Sequence, residues 1–156
     1  MKIGLISDTH GYINYINKAM EKLNNTDMII HLGDNVKDVK YIKLKYKNKI
    51  INVKGNCDIT CTVASEKIEI IENKRFLITH GHKYNVKRDL LNLKYKAVEC
   101  RADIVLFGHT HVADITYENG IWFINPGSAS LPRNRINTVA VLELNDNKIN
   151  SYIIDI

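Results

Sequence analysis

The chain has 156 residues, of which 45% are hydrophobic and 25% charged, and this predicts one globular domain over residues 1–156 with its own core. The opening residues MKIGLISD reach an aspartate after a short apolar run, so we expect neither a signal peptide nor a membrane span there, and a cytoplasmic location. The cysteines, Cys57, Cys61 and Cys100, are odd in number and lack CxxC spacing, which argues against a disulfide framework or a structural zinc knuckle.

The first half of the chain alternates short apolar runs with helical patterns. The runs KIGLIS, MIIHL and IINVKG predict three strands. A helix over about residues 12–23 separates the first two strands, and a lysine-rich helix separates the second from the third. This alternation is typical of parallel strands joined by helical crossovers.

The lysine-rich helix bears on nucleic-acid binding, because the net charge of the chain is +5. Its lysines are Lys37, Lys40, Lys43, Lys45, Lys47 and Lys49. Val36, Val39, Ile42 and Tyr46 recur among them at helical spacing. We therefore expect an amphipathic helix with a solvated basic face, and no nucleic-acid partner.

The second half of the chain is dominated by hairpin patterns. KIEII and RFLIT flank residues 72–74, ADITY and IWFIN flank residues 118–120, and TVAVLEL and INSYIID flank residues 145–147. A helix over about residues 86–100 precedes a further strand, ADIVLF. Together with the first half, this predicts an α/β fold with two mixed β-sheets packed face to face and helices outside, a four-layer αββα sandwich.

Polar residues follow the predicted strands at the point where each strand ends. They are Asp8, His10, Asp34, Asn56, His80, His109 and His111. Ligands of open α/β sheets bind at the carboxyl ends of strands, so these seven side chains are expected to converge. Taken singly, most of them would be ordinary capping or turn residues, and it is their joint occurrence that favours a site.

The donor types in this set indicate metal binding. Imidazole, carboxylate and amide groups suit manganese, iron, nickel, cobalt or zinc, and the set exceeds what one catalytic metal requires. A carboxylate can bridge two cations, and a pair of metals about 3.5–4 Å apart can clamp the attacking and leaving oxygens of a phosphoryl displacement. The sequence therefore predicts a dinuclear centre.

Five short motifs occur in the order SDTHG, LGDN, KGNCD, THGH and FGHTH. This order resembles the calcineurin-like metallophosphoesterases, and the later NPGSASLPR is similar to their short bacterial and archaeal phosphodiesterase branch. The resemblance covers nearly the whole chain. It implies a phosphodiesterase with two divalent metal ions, with Mn²⁺ favoured and Ni²⁺, Fe²⁺, Co²⁺ or Zn²⁺ possible.

The resemblance also implies a role for each residue of the set. Asp8, His10 and His111 would hold the first metal, Asn56, His80 and His109 the second, and Asp34 would bridge them. A water or hydroxide between the metals would attack phosphorus directly, without a covalent intermediate, so Asp34, Asn56, His80 and His109 are the expected catalytic residues.

Position 57 departs from the wider family. Many members carry histidine there to assist the leaving group, whereas this chain has Cys57, whose neutral thiol offers no positive charge. A structural turn residue is an equally good interpretation of Cys57. Two further candidates for substrate binding are His82, which could line the cleft, and Arg133, which could reach a phosphate.

Two alternatives of other kinds stay open. One is a non-catalytic scaffold subunit of the same fold, against which the retained histidines argue. The other is a nuclease of the same superfamily, although nucleases usually add capping segments and the interval from Asn56 to His80 is short. We expect a small phosphoester substrate and no membrane partner, while the natural substrate, the native metal and possible homo-oligomer formation stay open.

Overall fold

The computed structural model describes residues 1–145 and 148–156, and its first sheet has five strands. They are β1 (Lys2–Ile6), β2 (Met28–His31), β3 (Lys49–Asn52), β9 (Thr138–Asn145) and β10 (Lys148–Asp155), in the order β10-β9-β1-β2-β3. The first three are parallel, with helices α1 (Ile13–Leu23) and α2 (Asp38–Lys45) as crossovers, as the sequence predicts. The predicted turn at 145–147 includes residues 146 and 147, which lie outside the described ranges.

The second sheet also has five strands. They are β4 (Glu66–Ile71), β5 (Lys74–Thr79), β6 (Ile104–Leu106), β7 (Ala113–Glu118) and β8 (Ile121–Pro126), in the order β4-β5-β6-β8-β7. Both predicted hairpins in it are confirmed, with two-residue turns at Glu72–Asn73 and Asn119–Gly120. All four turn residues have positive φ, as the tight turns that match strand twist require.

The two sheets pack face to face over a core of aliphatic residues and Phe76. The first sheet contributes Leu5, Ile30 and Ile51, and the second contributes Ile78 and Leu106 among others. Helices α1 and α2 cover the outer face of the first sheet, and α3 (Leu91–Glu99) covers that of the second. The four-layer αββα prediction is confirmed.

Helix α2 has the predicted amphipathic form. Val36, Val39, Ile42 and Tyr46 are buried, while the lysines of this segment are exposed. Of the helices in the described ranges, none has the length and apolar content needed to cross a membrane.

Helix α3 begins later than predicted, at Leu91 rather than near Val86. Residues 82–84 form a separate 3₁₀ turn, and Asn85 then adopts a left-handed φ of 55° that no helix continues through. The Asp89 carboxylate accepts the N–H of Leu91, the first residue of the helix, at 3.0 Å. Local side-chain bonding thus overrides the apolar periodicity of residues 86–90.

Candidate metal centre

The polar residues that follow the strands sit on sharply turned backbone. Asp8, His10, Asp34, His109 and His111 all have φ between 45° and 68°. Non-glycine residues rarely adopt this left-handed conformation, which costs of order 1–3 kcal/mol and clusters at functional sites. Neighbouring glycines allow other groups to approach the backbone closely. A Cβ at residue 55 would lie 2.1 Å from Asp34 Oδ1, and one at residue 108 would lie 2.1 Å from Ser7 Oγ.

Four of the predicted ligands form one group, the Asp8 group: Asp8, His10, Asp34 and His111. Their ligand atoms lie within 4.8 Å of one another. His111 Nε2 is 3.1 Å from Asp8 Oδ1, and His10 Nε2 is 3.9 Å from Asp8 Oδ1 and from Asp34 Oδ2. Asp8 Oδ1 and His10 Nε2 are buried yet have no hydrogen-bond partner among residues 1–145 and 148–156.

Every other polar atom of Asp8 is bonded within the protein. Its N–H donates to the Gly33 carbonyl, and its carbonyl accepts two serine hydroxyls. Its Oδ2 accepts the Ser7 hydroxyl at 2.6 Å and the His109 N–H at 3.2 Å. Because buried polar atoms normally find partners, the unpaired Oδ1 indicates a ligand position.

The second group, the His80 group, contains Asp34, His80 and His109. His80 Nε2 lies 3.5 Å from Asp34 Oδ2 and 3.2 Å from His109 Nδ1. His80 Nδ1 lies 2.7 Å from the Leu32 carbonyl, which can only accept, so this nitrogen carries a proton, and Nε2 is the nitrogen that would offer a lone pair to a metal. A backbone partner of this kind orients imidazole ligands in metal sites. Asp34 belongs to both groups.

The electrostatics of the site favour cations. Burial raises the pKa of Asp8, but His111 and His80 outweigh it and hold that pKa below its usual range. Burial likewise raises the pKa of Asp34, and hydrogen bonding and charge from His80 bring it well below the ordinary value. Burial, with the nearby charge of His80, lowers the pKa of His109 to about 4. Two ionised carboxylates therefore lie close together, and one of them, Asp34, shares a group with the neutral His109 imidazole.

Asn56 and Cys57 lie beside Asp34 at the mouth of the site. The Cys57 N–H donates to Asp34 Oδ1 at 2.9 Å, and its thiol donates to Oδ2 at 3.3 Å. Asn56 is exposed, and its amide nitrogen lies 3.5 Å from the Cys57 sulfur. Burial and the adjacent Asp34 raise the pKa of Cys57 to about 11, so the thiol stays protonated at neutral pH.

The two other substrate-binding candidates lie next to the groups. The His82 ring is 5.5 Å from the His80 ring and 6.1 Å from the His109 ring, and its Nδ1 has no partner in the described parts of the chain. The N–H of Arg133 donates to the His111 carbonyl, and its side chain is exposed. Both residues are therefore adjacent to the site.

Two buried carboxylates that support the site were not found from the sequence. Asp38 accepts the Thr9 hydroxyl at 2.6 Å and the Gly11 N–H at 2.9 Å, and so holds the loop after β1. Asp58 accepts the N–H groups of Val36 and Gly55 and joins two other site loops. The aspartate of GNCD was a usable signal for Asp58, whereas Asp38 has none in the sequence.

Comparison with known proteins places the chain in a family. A family model described as the calcineurin-like phosphoesterase superfamily domain matches residues 1–147. The probable metallophosphoesterase YsnB of Bacillus subtilis (strain 168) is 35% identical over 146 residues, covering 92% of this chain and 85% of the relative. The chain belongs to the calcineurin-like phosphoesterase superfamily. The resemblance carried by the five motifs is confirmed.

Solved structures show the calcineurin-like fold over the whole chain. A structure described as a novel archaeal phosphodiesterase matches with a TM-score of 0.79 and 26% identity, covering 99% of this chain and 100% of that one. Wild-type Vps29 of Entamoeba histolytica, complexed with Zn²⁺, matches with a TM-score of 0.77 and 21% identity over 99% of each chain. The second likeness concerns the fold alone.

Calcineurin-like phosphoesterases depend on metal ions, and the residues present here fit such a requirement. The unpaired atoms, Asp8 Oδ1 and His10 Nε2, belong to the same group and lie 3.9 Å apart. Imidazole and carboxylate donors suit divalent transition metals. The six residues of the two groups are thus candidate metal ligands.

Proposed function

We propose that this protein is a metal-dependent phosphodiesterase acting on a small phosphoester. The observation that supports this most is the sharing of Asp34 between two groups of potential ligands, since one carboxylate can serve two cations. Asp8, His10 and His111 would complete one site, and His80, His109 and Asn56 the other. We infer two divalent ions, with Mn²⁺ favoured and Ni²⁺, Fe²⁺, Co²⁺ or Zn²⁺ as further candidates.

The metals, when bound, would supply Lewis acidity that activates a water and polarises the phosphoryl oxygens. The chain's own residues fix the orientation of the donors. His80 and His111 each donate Nδ1–H to a backbone carbonyl, at 2.7 and 2.6 Å, which leaves Nε2 of both rings facing the carboxylates. Water would then attack phosphorus directly, the phosphorus–oxygen bond to the leaving group would break, and that oxygen would take up a proton.

The leaving group receives little help from Cys57 in this proposal. The thiol proton is directed at Asp34 rather than outward, and the raised pKa keeps the sulfur uncharged. His82 and Arg133 are the candidates for contact with substrate in this proposal. The Nδ1 of His82 has no partner among the described residues and its ring lies near those of His80 and His109, while the backbone N–H of Arg133 donates to the His111 carbonyl.

The structure bears on the two alternatives differently. Between Asn56 and His80 the chain forms strands β4 and β5, which leaves little chain for a capping segment of the nuclease type. Metal binding alone would not distinguish an enzyme from a scaffold, because the Vps29 of similar fold was itself solved as a complex with Zn²⁺. Hydrolysis is therefore the observation that separates an enzyme from a scaffold.

The proposal is tested by loading chelator-treated protein with Mn²⁺, measuring metal per chain, and assaying an activated aryl phosphodiester. We expect two equivalents of metal and turnover that chelation abolishes. Phosphomonoesters and nucleotides, each assayed with every candidate metal, would define the substrate class.

Two results would contradict the proposal. Binding of at most one equivalent of metal per chain after saturation with Mn²⁺ would exclude the dinuclear assignment. Full loading without hydrolysis of any phosphoester would favour the scaffold alternative.

A further inference from the structure

The segment Asn125–Arg133, which contains NPGS, is bonded to the site loops along its length. The Asn125 amide donates to the Gly108 carbonyl at 3.0 Å and to Thr110 Oγ1 at 2.9 Å. The Ala129 N–H donates to the Ser7 carbonyl at 3.1 Å. Asn125 and Ala129 are fully buried. The segment therefore joins the loop before Asp8 to the loop that carries His109 and His111.

Within this segment, the Ser128 hydroxyl lies between two candidate ligands. It donates to the Asp8 carbonyl at 2.9 Å and accepts the Leu131 N–H at 2.8 Å. The Leu131 carbonyl in turn accepts Nδ1–H of His111 at 2.6 Å. Ser128 is thus bonded directly to the Asp8 backbone and is linked to the His111 ring through the backbone of Leu131.

Ser130 adds a second donor at the same point. Its hydroxyl also donates to the Asp8 carbonyl at 2.9 Å, so both lone pairs of that oxygen are used. Asp8 has a left-handed φ of 54°, a conformation that persists only where surrounding contacts impose it. The two hydroxyls are such contacts, since Ser128 is fully buried and Ser130 is 6% exposed.

We propose that Ser128 and Ser130 are positioning residues that set the affinity of the Asp8 group for its metal. The proposal rests on the proposed function only in taking the Asp8 group as a metal site. Ser128 links Asp8 to His111 through Leu131, and in the described contacts the hydroxyls make no bond to His80 or His109, the two ligands found only in the His80 group. Loss of the hydroxyls should therefore selectively weaken the binding of one of the two proposed metal ions.

The test is a metal titration of the whole chain by calorimetry with Mn²⁺, and by the absorption spectrum with Co²⁺. Ser128→Ala, Ser130→Ala and the double variant are compared with wild type. Partners that orient metal ligands are typically worth 10–100-fold in affinity, so we expect one equivalent to weaken by about that factor and the other to change little. Ser151→Ala is the matched control, because Ser151 donates its hydroxyl to the Val141 carbonyl in the β9–β10 pair.

Ser130→Ala keeps the test usable if Ser128→Ala does not fold, since Ser130 donates its hydroxyl only to Asp8 in the described contacts. Folded variants that bind both equivalents like wild type would overturn the proposal, and so would equal weakening of both equivalents. Wild-type protein that binds no metal would overturn this proposal and the proposed function together. Metal binding without hydrolysis would overturn only the enzymatic function.

Discussion

Asp34 is the residue on which both groups of the site depend. Its Oδ1 accepts the Cys57 N–H, and its Oδ2 faces His10 at 3.9 Å and His80 at 3.5 Å. The side chain is 3% exposed, so its charge is poorly compensated by water. Replacement by an amide would keep the shape while removing the charge that the two proposed cations would share.

We expect Asp34→Asn to lose activity by on the order of 100-fold or more and to lose metal at both sites, whereas His10→Ala should affect chiefly one site. Turnover and bound metal are measured for each variant at saturating Mn²⁺. Asp114→Asn is the matched control, since Asp114 is an exposed carboxylate on β7. Near-normal turnover and metal content in Asp34→Asn would show that the ligand assignment is wrong.

Cys57 gives a second prediction at the residue scale, because no cationic acid stands at this position. Rates should fall steeply as the leaving group becomes more basic, so aryl esters should be much better substrates than alkyl esters. Cys57→Ser keeps a donor to Asp34 and should change turnover little. Cys57→His should gain up to about 10²-fold with poor leaving groups if the ring reaches the departing oxygen.

The measurement for Cys57 is a leaving-group series for wild type and both variants, with metal content determined for each. A large loss in Cys57→Ser at full metal content would show that the thiol takes part in the reaction. A flat series in wild type would mean that another residue, with His82 the nearest candidate, already protonates the leaving oxygen.

At the scale of elements, the strands and helix α1 were predictable, whereas the start of α3 was not. Alternation and turn chemistry located both described hairpins, and apolar runs located β1, β2 and β3. The predicted start of α3 was wrong because the backbone of Asn85 is left-handed and the Asp89 carboxylate accepts the N–H of Leu91, where the helix begins. Such bonds depend on conformations that periodicity does not encode.

The candidate site shows the same division between pattern and geometry. The ordered motifs were enough to name the residues that the structure groups around Asp34. Their support was not predictable, because Asp38, Asp58 and Ser128 act through backbone groups that only the fold brings near. NPGS was interpreted as a tight turn, and its bonding to Asp8 emerges only from the structure.

At the scale of the whole molecule, the candidate centre spans the two sheets. Asp8, His10 and Asp34 follow strands of the first sheet, and His80 and His109 follow strands of the second. Direct hydrogen bonds join the two sheets at this end, including those from the His109 N–H to Asp8 Oδ2 and from His80 Nδ1 to the Leu32 carbonyl. The stability of the sandwich is therefore linked to the polar groups beneath the site.

His31 at the end of β2 is the clearest of these groups. It is fully buried, its Nδ1 accepts the Gly33 N–H, and its Nε2 lies 3.1 Å from Thr9 Oγ1. His31 is therefore bonded within the protein and belongs to neither group of candidate ligands. Burial is the main cause that lowers its pKa from 6.5 to about 4, against the opposing charge of Asp38.

The low pKa of His31 predicts how global stability depends on pH. Above pH 6.5 the imidazole is neutral in both folded and unfolded chains, so the stability is full; as the pH falls from 6.5 towards 4, only the unfolded chain takes up the proton, and stability is lost. The loss should be on the order of 3 kcal/mol, since each pKa unit corresponds to about 1.4 kcal/mol.

Urea unfolding is measured from pH 8 to 4, in chelator, for wild type and His31→Gln, and the difference between their free energies of unfolding isolates this residue from the other titrating groups. We expect this difference to be constant above about pH 7. Near pH 4, the free energy of unfolding of wild type should have fallen relative to that of His31→Gln by on the order of 3 kcal/mol. A pH-independent difference would show that His31 titrates normally in the fold, and a shift in favour of wild type would show that the buried ring is protonated.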